Sequence, residues 1–103
     1  MTACLARDYK GETIFASMGS LAHYMQDLSA IGLNIGDFLH EGNHPMWDAA
    51  VVVGGAPFAG WMLVEEFAEG GDVLAQLMRQ NPHFADGYER VCEGGNVALY
   101  RRR

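Results

Sequence analysis

Four consecutive apolar residues, Trp61-Met62-Leu63-Val64, place the strongest constraint on how this chain folds. A run without polar alternation suits a central strand covered on both faces. It predicts a strand over Trp61 to Phe67 inside a layered structure. Upstream, Glu12 to Ser17 reads as a buried strand that turns through Met18-Gly19-Ser20 into a helix. In that helix Leu21, Tyr24, Met25 and Leu28 follow i, i+3, i+4, i+7 spacing. Ser20 is its expected N-cap and Gly32 its expected stop. Leu33 to Leu39 predicts a second strand. Asn43 or His44 caps a helix with Pro45 in its first position and Asp48 near the positive end of the dipole, running to about Val53 before Gly54-Gly55. Gly70-Gly71-Asp72 opens a third helix with Val73, Leu74, Leu77 and Met78 as its apolar stripe, and Asn81-Pro82 ends it. Tyr88 to Glu93 and Val97 to Arg101, around Gly94-Gly95-Asn96, read as a β-hairpin.

Strand and helix thus alternate three times before the hairpin. The order predicts one α/β domain over residues 1–103, a small Rossmann-like three-layer sandwich with a mostly parallel sheet (β-α-β-α-β-α) and a C-terminal β-hairpin. Residues 1–11 fit an additional edge strand or a leader. At 103 residues and 11.3 kDa the chain is one domain. A domain of this size buries about two-thirds of its unfolded surface, which leaves a thin stability margin.

The net charge is −6, and three of the seven cations are Arg101, Arg102 and Arg103. The first 100 residues therefore hold 4 cations against 13 anions, a balance of −9. Such a body repels phosphate backbones and argues against a nucleic-acid partner. The Arg101–Arg103 run suits either acidic lipid headgroups or a solvated terminus, and three charges fall short of a polybasic patch. No basic and apolar leader pattern follows Met1. The longest uncharged run, Ala49 to Val64, is broken by Gly54-Gly55-Ala56-Pro57 and falls short of the roughly 20 residues that a membrane span needs. Cys4 and Cys92 lack the CxxC spacing of metal or redox sites. Two free buried thiols are the simpler reading, with one bridge between them as the alternative.

In open α/β sheets ligands gather at the carboxyl ends of parallel strands. Those ends are Ser17-Met18-Gly19-Ser20, His40-Glu41-Gly42-Asn43-His44 and Glu65-Glu66. They nominate Ser17, Ser20, Glu41, Asn43 and Glu66 as ligand-binding residues, with the Ser-Gly-Ser turn offering N–H groups to an anion. Ser20 as a simple helix cap is the blander reading. No phosphate-binding GxGxxG or GxxxxGK[ST] motif occurs. Glu65, Glu66 and Glu69 are a candidate acid/base pair or cation site, or else a solvated loop. Trp47 and Trp61 read as core residues.

His40-Glu41-Gly42-Asn43-His44 matches HExxH, in which two histidines on one helical face hold zinc and the glutamate acts on the bound water. The required helix is disfavoured here. Gly42 costs about 1 kcal/mol in a helix interior, and Pro45 pushes His44 out of the α region. The stretch reads as a strand end meeting a capped helix. A zinc hydrolase with His40 and His44 as ligands and Glu41 as base stands as the alternative; otherwise no cofactor is expected.

The segments Trp61-Met62-Leu63-Val64-Glu65-Glu66, Gly70-Gly71-Asp72-Val73-Leu74-Ala75, Asn81-Pro82-x-Phe84 and Tyr88-x-x-Val91-Cys92-Glu93-Gly94-Gly95-Asn96-Val97-Ala98-Leu99-Tyr100-Arg101 resemble a familiar tail. Together with Ala16-Ser17-Met18-Gly19-Ser20-Leu21-Ala22-His23-Tyr24 and His40-Glu41-Gly42-Asn43, they look like the C-terminal soluble domain of bacterial multi-pass membrane glycosyltransferases. These are the mannosyltransferase-like enzymes that use polyprenyl-phosphate sugars. The resemblance runs from about Ile14 onward. It implies a domain on the extracytoplasmic (periplasmic) side, attached to the membrane part of a parent protein and contacting a sugar or sugar-phosphate. It carries over no catalytic residue, because the family's catalytic acids lie in loops between membrane helices. The isolated domain is then expected to have no activity of its own. A free-standing homologue, in the cytoplasm and serving as a ligand-binding or protein-interaction module, is the remaining alternative.

Overall fold

A computed structural model describes residues 2–67, 70–94 and 96–103. Helix α1 (Thr2–Asp8) leads to strand β1 (Ile14–Phe15), helix α2 (Met18–Ala30), a 3-10 turn (Ile35–Asp37) and strand β2 (Phe38–Leu39). Helix α3 (Met46–Val53), strand β3 (Trp61–Glu65), helix α4 (Val73–Gln80) and strands β4 (Tyr88–Gly94) and β5 (Val97–Arg102) complete the chain. Residues 1–11 thus contain a helix rather than an edge strand.

The five strands form one sheet in the order β2-β1-β3-β5-β4. The expectation of a mostly parallel, Rossmann-like sheet is overturned. Only β1–β2 and β1–β3 run parallel, each over two residue pairs. The longer ladders, β3–β5 and β4–β5, are antiparallel. The cause lies in Val97-Ala98-Leu99-Tyr100, which is buried throughout. A run apolar on both faces has to sit inside the sheet. The hairpin therefore enters beside β3 through β5 and leaves the charged β4 as the edge.

The central strands sort their side chains by the period of two. Trp61, Leu63, Val97 and Leu99 pack with Leu5 of α1 and Leu21 and Leu28 of α2. Met62, Val64, Ala98 and Tyr100 pack with Trp47 and Ala50 of α3 and Leu74 of α4. Helices α1 and α2 thus cover one face and α3 and α4 the other. Trp47 meets Phe15 edge-on at 5.2 Å between ring centroids, so both tryptophans are core residues.

Local signals explain the helix ends. Ser17, not Ser20, caps α2: its backbone is extended and its Oγ accepts from the Ser20 N–H. Asn34 and Asp37 form a reciprocal capping box around the 3-10 turn, which shortens the predicted Leu33–Leu39 strand to Phe38–Leu39. Pro45, after a cis His44–Pro45 bond, precedes α3 at its cap position.

Gly55 sits where the α3 exit crosses the aromatic core. A Cβ there would lie 2.4 Å from Phe15 Cδ2 and 2.9 Å from the Tyr88 hydroxyl. Gly55→Ala is expected to cost about 1–3 kcal/mol by overpacking, read as a lower urea midpoint at unchanged slope. Gly19→Ala, in the first turn of α2 where a Cβ would lie 4.0 Å from Ser17 Oγ, should be neutral or stabilising by up to about 1 kcal/mol.

Candidate functional site

Strands β1 and β3 are adjacent and parallel, yet the helices that follow them leave on opposite faces. Helix α2 packs on the face with Leu5, and α4 on the face with Trp47. This divergence opens a crevice between the strands' carboxyl ends, where open α/β sheets hold ligands. A groove of about 330 Å³ lies there, lined by Gly19, Ser20, His23, Glu65, Gly71, Asp72 and Gln76. Its volume falls in the range of small-molecule clefts, about 300–1,000 Å³.

Asp72 is the centre of this groove. Its Oδ2 accepts from the Ser20 hydroxyl at 2.6 Å, the Glu65 backbone N–H at 3.0 Å and the Ser17 hydroxyl at 3.5 Å. Its Oδ1 accepts from the Ala75 N–H at 2.9 Å and so caps α4. The Asp72 N–H returns to the Glu65 carbonyl at 2.8 Å. Glu65, 5% exposed, accepts from the Tyr24 hydroxyl at 2.5 Å and from the Phe67 N–H at 3.3 Å. Burial and then the Glu65 carboxylate push the Tyr24 phenol up to about 12.

Glu41 joins from the end of β2. Its Oε1 accepts from the Met18 N–H at 2.7 Å, at the first residue of α2. The protein's own carboxylates therefore occupy helix N-terminal donors that an anion would use. Glu65 and Asp72 make the crevice rich in acceptors.

Of the residues nominated from sequence, Ser20 lines this crevice, Ser17 reaches its Asp72, and Glu41 bonds the start of α2 without lining it. Asn43 does not: its Oδ1 accepts from the His40 N–H at 2.8 Å and closes a local turn. It lines a separate hollow of about 420 Å³ beside Phe38, Pro45 and Met46. Glu66 is taken by Arg90 of β4, at 2.6 and 2.8 Å, next to a third hollow with Phe67, Met78 and Arg79. Glu65 is buried and not part of a solvated loop, and Glu69 lies outside the described residues. Residues 41–45 form turns and a bend rather than a helix. His40 Nδ1 accepts from the Gly42 N–H at 3.0 Å, and His44 Nδ1 pairs with Asp48 at 2.9 Å. Among the described residues no group of three or more His, Cys, Asp or Glu side chains is disposed to hold a metal ion.

Asp72, His23, Tyr24 and Gln76 were not among the nominated residues. The signal for Asp72 was present: an acid after two glycines at a helix start is a cap with a free second oxygen. Its reach across to α2 depends on the crevice and has no local signature.

The fold and crevice define a small α/β domain with a mixed sheet and a polar cleft at one strand edge. The chain matches no protein-family model, no curated protein and no solved structure. No described helix is long and apolar enough to cross a membrane.

Asp72→Ala removes a cap and leaves several donors without their acceptor. It is expected to cost about 2–4 kcal/mol in urea denaturation, and Ser20→Ala about 0.5–1.5 kcal/mol. Tyr24 provides a pH test. Its folded-state pKa lies above the ordinary value of 10, so its contribution is complete below pH 10 and lost as pH rises through about 12. The stability difference between wild type and Tyr24→Phe should be constant from pH 7 to about 9 and shrink above that. A difference that stays flat to pH 12 would contradict the Tyr24–Glu65 contact.

Proposed function

We propose that this chain is a non-catalytic accessory domain of a polyprenyl-phosphate-sugar-dependent membrane glycosyltransferase, standing on the extracytoplasmic side, and that its crevice binds a sugar. One observation carries the reading. The segments that resemble the family's tail, around Ser17–Tyr24, Glu65 and Gly71-Asp72, lie far apart in sequence and meet at one crevice.

The chemistry favours the sugar portion over the phosphate. Sugar hydroxyls donate to carboxylates, amides and imidazole nitrogens, and such charge-assisted bonds are strong. Glu65 and Asp72 supply acceptors, while His23 and Gln76 at the rim supply adaptable polar groups. A phosphate seated beside the Glu65 and Asp72 carboxylates would meet like charge, which costs several kcal/mol. A sugar-phosphate ligand therefore enters sugar first, with its phosphate toward solvent.

The test is an amide-resolved NMR titration of the whole chain with mannose, mannose 1-phosphate and glycerol. Sugar-specific shifts at Gly19, His23 and Gln76, absent with glycerol, are expected. His23→Ala and Gln76→Ala should weaken them while the melting temperature holds. A folded protein that shows no shift with either sugar would refute the binding part. The parent enzyme is tested in the genomic reading frame: several apolar spans of about 20 residues upstream support it, and their absence there favours a free-standing module.

A further inference from the structure

Strand β4 carries an irregularity whose effect is to turn Cys92 over. Tyr88 and Arg90 belong to the face of Tyr100: Tyr88 packs in the core with it, and the Arg90 guanidinium lies 5.9 Å from its ring centroid. Regular alternation would put Cys92 on that same face. The register instead shifts between Arg90 and Cys92, pairing Arg90 with Tyr100 and Cys92 with Leu99. A bulge of this kind re-aims the side chains beyond it. Cys92 consequently packs against the opposite cluster, which contains Leu99, Leu5 and Cys4.

There the two cysteines, from opposite ends of the chain, share one cluster: Cys4 belongs to it and Cys92 packs against it. Cys4 is buried on α1, Cys92 is half-buried, and both are reduced. The Arg7 guanidinium stands 3.7 Å from Cys4 Sγ. We infer that Cys4 and Cys92 are a dithiol pair that closes into a disulfide, fastening α1 to the hairpin. The inference is independent of the sugar-binding reading.

The reaction is thiol–disulfide exchange with a small disulfide such as oxidised glutathione. The more accessible Cys92 thiolate attacks one glutathione sulfur, forms a mixed disulfide and releases one glutathione thiolate. Cys4 then loses its proton and attacks the Cys92 sulfur, expelling the second glutathione. Two protein thiols are oxidised, one glutathione disulfide is reduced, and the two protons end on the two glutathione thiols. Interaction with Cys92, and then burial, raises the Cys4 pKa, while Arg7 opposes the rise. This suits Cys4 to the second, intramolecular step.

The experiment equilibrates the purified whole chain in glutathione buffers of stepped ratio and counts alkylatable thiols by intact mass. Both thiols should disappear together, in a monomer lighter by two hydrogens, and dithiothreitol should restore them. The oxidised monomer should melt higher by on the order of 10 °C, because the bridge closes most of the chain into one loop. In Cys4→Ser the mixed disulfide at Cys92 should persist instead of resolving. Three outcomes would overturn the inference: both thiols alkylated at every ratio, a persistent glutathione adduct on wild-type Cys92 with Cys4 free, or disulfide-linked dimers.

Discussion

The carboxylate of Asp72 is the tie on which the crevice depends. It accepts from the hydroxyls of Ser17 and Ser20 before and within α2, from the Glu65 N–H at the end of β3, and from the Ala75 N–H in α4. Helices α2 and α4 pack on opposite faces of the sheet. One side chain therefore joins both layers across the sheet's end. Hydrogen bonds to a charged acceptor contribute about 1.5–3 kcal/mol each, more than neutral ones. In a domain with a thin stability margin, such a group accounts for a large share of what holds the edge together.

Crowding Asp72, Glu65 and Glu41 into one edge is costly unless each is compensated. The compensation is local and different for each acid. Asp72 and Glu41 rest on N–H groups in the first turns of α4 and α2, at the positive ends of those dipoles. Glu65 takes the Tyr24 hydroxyl and the Phe67 N–H. An anion entering this edge would displace bonds the protein already makes.

The parts of this arrangement that were legible in the sequence are the local ones. The run Trp61–Val64 does form a buried central strand, and Leu21 and Leu28 do lie on the buried face of α2. The hairpin, the Asp72 helix start and the exclusion of a helix at His40–His44 follow from turn chemistry and propensity, which act over a few residues. The sheet's direction was not legible. Val97-Ala98-Leu99-Tyr100 carries the same two-sided apolar signal as Trp61–Val64, but the helical alternation before it suggested a hairpin appended to a parallel sheet. Burial decided otherwise, and β5 went inside. The exchange of Ser20 for Ser17 at the α2 cap follows from a similar competition. Either serine can cap, and the hydroxyl of Ser20 gains more from Asp72, a partner 52 residues away.

The mixed sheet also determines where a crevice can exist. In a doubly wound parallel sheet the helices diverge at the topological switch point. Here β5 lies antiparallel along the free side of β3, so β3 has a parallel neighbour on one side only. The end of β2 leads through the Glu41–Pro45 turns to α3, with Glu41 reaching back to α2. Among the described strands, β1 has a parallel neighbour on each side, β2 and β3, and the helices that follow those two, α3 and α4, lie on the face opposite α2. The helices diverge on both sides of β1: the Asp72 bonds tie the β1–β3 side and the Glu41–Met18 bond the β1–β2 side.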